Sequence, residues 1–334
     1  MKNPVLIVGG TGIVGSQTAK TLRRLHPELP MALGGRDLRK ADALAREIGG
    51  PAFGVAVDLR RRDLGLPGEK AFSAVAMFLK DETFNSLRYA QDRGAAYLGI
   101  STGIFEMAPE IALYAQKPAR APILMASQWL AGAAVLPALV FARAFRKLET
   151  IELAAHLDEE DMGGPAAYAD FERLTKVGPN ALILDHGKWV FARGDDAKRR
   201  FLDVDGVELE GSAYSPFDVS SLAAATDAHS IRFDLAVGKT ASRRRGEPFS
   251  TEIIIEMRGE LADGTPGRVR HELVHPAGQA PVTALAVAVG VERLLGLDGG
   301  ERVAPGLYLP EVLIEPEYMV RRLKEFGVQF RNSK

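Results

Sequence analysis

The feature that most restricts this chain lies near its start, where the run Val5-Leu6-Ile7-Val8 ends in Gly9-Gly10-Thr11-Gly12-Ile13-Val14-Gly15. Gly10, Gly12 and Gly15 spell G-x-G-x-x-G between a β-branched run (5–9) and a helical pattern (14–25). A second strand-like run (31–34) ends about 20 residues further on, the spacing of a dinucleotide-binding βαβ unit. The first glycine permits a tight turn, the second lets backbone approach a phosphate, and the third lets helix and strand pack closely. A helix that starts there offers free N–H groups and the positive end of its dipole to an anion. Gly9, Gly10, Thr11, Gly12, Ile13, Val14 and Gly15 are therefore the expected pyrophosphate loop.

The rest of the first half repeats the pattern. Strand-like runs at 53–58, 74–78, 95–100 and 123–126 alternate with helical stretches at 38–48 and 83–93, the latter stopped by Gly94. Short strands with crossover helices predict a doubly wound, parallel Rossmann sheet. Beyond residue 150 the character changes. Runs at 151–157, 231–237, 251–261 and 267–275 alternate with period two, as in antiparallel strands with one wet face, and Asp263-Gly264 between two of them is turn chemistry. Helical patterns at 166–176 and 218–226 make this an α+β domain on a largely antiparallel sheet, and helices return at 284–295 and 317–326. The fold class is α/β, with a Rossmann domain over 1–130, an α+β substrate or dimerisation domain over 131–280 and a C-terminal helical segment over 281–334.

The end of the second strand selects the dinucleotide: an acid there grips the ribose 2′-OH of NAD, an arginine takes the 2′-phosphate of NADP. Here Gly35-Arg36-Asp37 stands at that place, so NADP is favoured, with NAD the alternative. Asp37 suits the N-cap of the next helix, and Asp58, ending the third strand, is either an adenine neighbour or a turn residue. Phe78, Ser101 and Gln128 follow the next three strands, where Rossmann ligands lie.

Composition narrows the partners. The net charge of −1 gives nucleic acid and anionic membranes no electrostatic hold. The absence of cysteine removes thiolate chemistry and cysteine-based metal sites, and suits a reducing, cytoplasmic setting. Residues 129–142, the longest apolar stretch, fall short of the roughly 20 that span a bilayer. A homodimer is expected, because the Ile253/Ile255/Met257 strand face needs cover.

Two motifs fail on context. His271-Glu272-Leu273-Val274-His275 matches the zincin string, but it reads as a strand, and histidines four apart on a strand are separated by roughly 13 Å. One zinc cannot bind both at ~2 Å, and no metal is expected. None of the seven tyrosines has a lysine four residues later, the pair that short-chain reductases require. Arg243-Arg244-Arg245 reads as a solvated hairpin tip.

Three segments resemble the saccharopine dehydrogenase-like (saccharopine reductase-like) oxidoreductases: residues 5–36, the stretch AQDRGAAYLGIS at 90–101, and the tail at 283–327 with its GLYLPE loop. The resemblance implies NAD(P)-dependent hydride transfer at a C–N or C–O centre of a small metabolite, with the tail helices packed back near the nucleotide domain. Gly99 stands where that family often has Asp, and Gln128-Trp129-Leu130-Ala131-Gly132 lacks its Pro-Gly turn. The chain is also shorter than expected for saccharopine dehydrogenase itself, which points to another substrate. For the catalytic acid or base, His156, Asp158, Tyr168 and His229 remain open candidates. A non-catalytic, NADP-binding sensor on the same fold is the rival function.

Overall fold

The computed structural model describes residues 3–68, 70–161, 163–178 and 180–333. The chain divides into two compact units, one of residues up to Ser127 with Thr283–Ile314, the other of Gln128–Val282 with the residues from Glu315 onward.

The first unit opens with β1 (Val5–Val8), α1 (Ile13–Leu25), β2 (Met31–Gly35), α2 (Leu38–Ile48), β3 (Ala52–Ala56), β4 (Ala74–Met77), α3 (Asn85–Arg93), β5 (Ala96–Gly99), α4 (Met107–Gln116) and β6 (Pro122–Met125). All four residues of β1, β4 and β6 are buried, as befits strands covered on both faces. The Asp37 carboxylate accepts from the Arg39 and Lys40 amides and starts α2, and Gly94 ends α3 in the left-handed region at φ 66°.

The second unit follows with α5 (Val135–Ala142), β7 (Phe145–Asp158), α6 (Pro165–Val177), β8 (Leu182–Asp185), β9 (Lys188–Phe191), β10 (Lys198–Leu202), β11 (Glu208–Ala213), α7 (Asp218–Ala225), β12 (Ser230–Gly238), α8 (Ala241–Arg244), β13 (Thr251–Leu261) and β14 (Pro266–His275). Helix α9 (Gln279–Leu295) then leads back into the first unit, which gains β15 (Gly306–Tyr308) and α10 (Pro310–Leu313). Helix α11 (Pro316–Glu325) and β16 (Gln329–Ser333) complete the second. Among the described residues no helix is long and apolar enough to cross a membrane.

The first sheet runs β15-β6-β5-β4-β1-β2-β3 and is parallel throughout. The sequence announces six of these strands. The seventh, β15, comes from the tail, and three residues between Pro305 and Pro310 carry no periodicity to read. Within this unit α9 lies close to the sheet: a Cβ on Gly290 would meet Leu98 at 2.8 Å and Leu124 at 3.1 Å.

The second sheet runs β10-β11-β12-β7-β13-β14-β16, with β8 on β12 and β9 on β8. Only β12 and β7 pair in parallel; the other pairings are antiparallel. One face carries Phe233, Ile253, Ile255 and Met257, all at most 2% exposed within the single chain. Phe141 of α5 stacks on His271 of β14, with ring centroids 3.6 Å apart, while Trp129 and Tyr214 pack on Phe233. That face needs no second chain to cover it, so the case for a homodimer built on it falls.

The opposite face is not wet either. The β10–β11 hairpin joins β12 through only two register pairs and folds over β7 and β13, burying Phe201 against Ala154, Ala236 and Ile254. Under it lie Asp234, Glu252, Glu256 and Glu272, each at most 6% exposed. Arg199 from the hairpin donates to Asp234 at 2.6 Å and lies 3.6 Å from Glu152 and 3.8 Å from Glu256, and Arg270 binds Glu256 and Glu272. Period-two alternation therefore separates an apolar face from an ion-paired face that is also sealed. Arg243-Arg244-Arg245 belongs to the same system: Arg243 pairs with Asp158, Glu159 and Glu160, Arg244 with Asp203, and Arg245 with Asp205. The triplet is a set of ion-pair partners at the end of α8 rather than a solvated tip.

Removing one partner of a buried ion pair leaves its mate uncompensated. Arg199→Ala is expected to destabilise the protein by about 3–5 kcal/mol in urea unfolding. A loss below about 1 kcal/mol, the scale of an exposed pair, would show that closure of the hairpin does not depend on Arg199.

Candidate functional site

The glycine loop is built by backbone-on-backbone contact. Gly9 turns the chain at φ 84°, and the Gly12 amide donates to the Gly9 carbonyl at 2.9 Å. A Cβ on Gly15 would stand 2.3 Å from that carbonyl oxygen and 3.0 Å from Gly10 Cα, so no larger residue fits without moving the loop. Gly10 is equally confined, its virtual Cβ 2.9 Å from the Ile7 carbonyl oxygen. Gly12 is the N-cap of α1, with no side-chain cap and no acidic residue in the first turn. The leading amides of α1 have no partner in the helix, and no acidic residue of its first turn competes for them. Thr11 and Ile13 are exposed. An uncapped helix start of this shape is compatible with an anion, and its residues fit the size and charge of a dinucleotide pyrophosphate.

The neighbouring strand ends gather around that loop. A Cβ on Gly9 would touch Leu79 at 3.1 Å and Phe78 at 3.2 Å, so the loop after β4 lies against it. A Cβ on Gly35, at the end of β2, would lie 3.4 Å from the Thr11 hydroxyl, and Arg36 next to it is exposed. Asp58 serves its own turn: its carboxylate accepts from the Arg60 amide at 3.1 Å and the Arg60 side chain at 3.0 Å. These side-chain bonds, more than burial opposes them, hold it below the usual carboxylate range.

A second polar group lies beyond the ends of β4 and β5. Leu79, Lys80, Tyr97, Ser101, Thr102 and Glu110 line a small pocket. Lys80 pairs with Glu106 at 2.9 Å, and Glu106 also accepts from the Gly103 amide. The Thr102 hydroxyl donates to Glu110 at 2.8 Å, and its amide is tied to the Ser127 hydroxyl at 3.1 Å. Burial pushes the Glu110 carboxyl up, against the opposing pull of the Thr102 bond and Lys80. Ser101 is buried at the pocket wall. At Gly99, where the resembling family often has Asp, a Cβ would meet the Tyr97 ring at 3.2 Å, so the ring fills that space.

Of the sequence-selected residues, Gly9 to Gly15, Phe78 and the end of β2 share one edge, and Ser101 belongs to the polar pocket. Gln128 belongs to the second unit, where its amide donates to Ser221 of α7 at 3.0 Å. The Trp129 amide donates to Asp218 at 2.6 Å, and Leu130, Ala131 and Gly132 follow with φ of 50°, 57° and 97°. Three successive left-handed residues, two of them not glycine, form the turn that the sequence lacks the Pro-Gly to announce, and anchoring by α7 holds the strain.

His156 and Asp158 are 2% and 0% exposed inside the second sheet. Burial alone would raise Asp158, but bonds from Thr240, the Glu160 amide and Arg243 keep it below the ordinary range. Tyr168 and His229 are exposed. Glu106 and Glu110 escape the sequence reading. Glu110 sits inward on α4 while its neighbour Ile111 is 38% exposed, the reverse of what side-chain polarity suggests. His271 and His275 occupy a strand, as the sequence implies. His271 bonds Asn332, His275 donates to the Phe326 carbonyl, and burial lowers both imidazoles.

The sequence matches no family model and no curated protein. Solved structures do match, and they place the chain among dehydrogenase folds. An apo saccharopine dehydrogenase (L-Glu forming) from Saccharomyces cerevisiae aligns over 100% of both chains, with 14% identity and a TM-score of 0.69. An amine dehydrogenase from Mycobacterium smegmatis aligns over 93% of this chain and 96% of its own, with 10% identity and a TM-score of 0.51. The protein has the fold of a saccharopine dehydrogenase. With both chains covered throughout, the shorter length expected from the sequence is no argument against that architecture.

Gly15→Ala tests the cradle. The methyl group must displace the Gly9 carbonyl, so the variant should fold with a loss on the order of 1–3 kcal/mol and bind NADPH at least tenfold more weakly by fluorescence titration. Unchanged affinity would mean that phosphates do not sit on this loop.

Proposed function

We propose that the protein is an NAD(P)-dependent oxidoreductase that prefers NADP(H) and moves hydride to or from a C–N or C–O centre of a small metabolite. The observation that carries this reading is the uncapped start of α1, closed in by glycines at the end of a parallel strand where no larger residue fits. The likeness to a saccharopine dehydrogenase and an amine dehydrogenase favours the C–N centre. The leading backbone amides of α1, from Ile13 to Gly15, would hold the pyrophosphate, and Arg36 would take the 2′-phosphate through charge-assisted bonds. Bound there, the nicotinamide supplies or accepts the hydride, and the protein must position the reacting centre and handle a proton.

For the proton we assign Glu110. Its carboxyl is pushed up by burial, so it retains a proton to higher pH than an exposed glutamate, and the Thr102 hydroxyl ties it to the pocket wall. Lys80, paired with Glu106, supplies positive charge beside it. In the reducing direction the rate should be high while Glu110 is protonated and fall as pH rises through its raised pKa.

Screening imines, amino acids and aldehydes for NADPH consumption tests the activity. Tight NADPH binding without turnover across the panel would favour the sensor instead. Arg36→Ala should weaken NADP by about 1.5–3 kcal/mol and leave NAD nearly unchanged. Equal losses for both dinucleotides would remove Arg36 from the site. Glu110→Gln should lower kcat by roughly 10²–10⁴-fold, abolish the alkaline fall in the pH profile and keep the NADPH Kd. An unaltered profile would exclude Glu110 as the proton donor.

A further inference from the structure

We infer that the second unit contains a divalent-metal site formed by His156, Asp203 and Glu252. In the antiparallel register of β7 and β13, Glu252 stands directly opposite His156, which puts both side chains on the face closed by the β10–β11 hairpin. Asp203 follows β10 within that hairpin. Its Oδ1 accepts from the Asp205 and Val207 amides, both at 2.9 Å, so the turn fixes the carboxylate's direction. The three residues are 2%, 1% and 0% exposed, and one ligand atom from each lies within 4.8 Å of the others.

Two side-chain atoms of these residues have no hydrogen-bond partner. Glu252 Oε1 receives the Ala241 amide at 2.8 Å and the Ser250 hydroxyl at 2.9 Å, but Oε2 and His156 Nδ1 are buried and unsatisfied. They face each other at 3.5 Å. A charged imidazole–carboxylate bond would close to about 2.7–2.9 Å. By contrast, two ligands each ~2.1 Å from one tetrahedral ion stand about 3.4 Å apart, close to what is found here. The Asp203 ligand atom lies within 4.8 Å of the other two, so it completes the set by closing at most about 1.4 Å.

The local charge leaves room for a cation. Arg243 is engaged by Asp158, Glu159 and Glu160, and Arg270 by Glu256 and Glu272. Among the described residues, Arg244 on Asp203 Oδ2 is the one arginine bonded to a carboxylate of this cluster. Buried carboxylates are paired or bind metal. One imidazole nitrogen and two carboxylate oxygens suit zinc or a similar first-row ion better than calcium or magnesium, which take oxygen alone. Such an ion would pin the covering hairpin to β7 and β13.

Protein purified without a metal-affinity step should carry about one equivalent of zinc or another first-row metal by mass spectrometry. After chelator treatment, zinc at a hundredfold excess over its Kd should raise Tm by about 5 °C or more. His156→Gln retains an amide that can bond Glu252, and should fold while losing both the metal and the zinc-dependent shift. Glu252→Gln gives the same reading should the first variant not fold. Wild-type protein without metal and without a zinc-dependent Tm change overturns the site, as does an equal shift in either variant.

Discussion

The first unit rests on a contact that only glycine permits, the approach of the Gly15 Cα to the carbonyl of Gly9. Because nothing stands between them, α1 begins directly above the end of β1, and its unpaired amides converge on one point instead of spreading over a longer loop. β1 lies between β4 and β2 in the sheet, where the chain order reverses, the place at which ligands bind in open parallel sheets. The contacts of Gly9 with Phe78 and Leu79 define one wall, and the Gly35–Thr11 approach defines the other. A single steric constraint thus fixes the place of the glycine loop, the direction of α1, and the two strand ends that border it.

The second unit solves a different problem. Its strands alternate, and on one side they present Glu152, Glu252, Glu256, Glu272 and Asp234, which would ordinarily face water. The β10–β11 hairpin covers this side instead, and it brings Arg199 with it. Burying so many carboxylates is tolerable because nearly every one meets an arginine at bonding distance or the amides of a turn. Arg243 and Arg244 extend the same scheme to Asp158 and Asp203.

What the sequence discloses follows from how locally each element is determined. Helix α2, capped by Asp37, and strand β13 are read from sequence alone at their observed bounds, because caps, turns and periodicity all lie within a few residues. The β13–β14 hairpin is equally local, with Gly264 at φ 86° and Asp263 bonded to Thr265. Strands β8, β9, β15 and β16 are three to five residues long and exist because a neighbour offers an edge, which no window on the sequence contains. The glycine turn between β1 and α1 is legible for the same reason as α2. Glu110 was not, since its burial depends on how α4 lies against β5 and not on its own surroundings.

The histidines make the distinction concrete. His271 and His275 sit in a string that names a metal motif, yet strand geometry parts them, and each finds an ordinary partner in Asn332 or the Phe326 carbonyl. His156 and Glu252 are far apart in sequence and belong to no motif, yet the β7–β13 register sets them face to face. On a helix, spacing along the chain decides which side chains meet. On a sheet, cross-strand register decides it, and that register is set by the whole hydrophobic pattern of the unit. Side chains brought together across strands can therefore meet in the fold while leaving no spacing signature in the sequence.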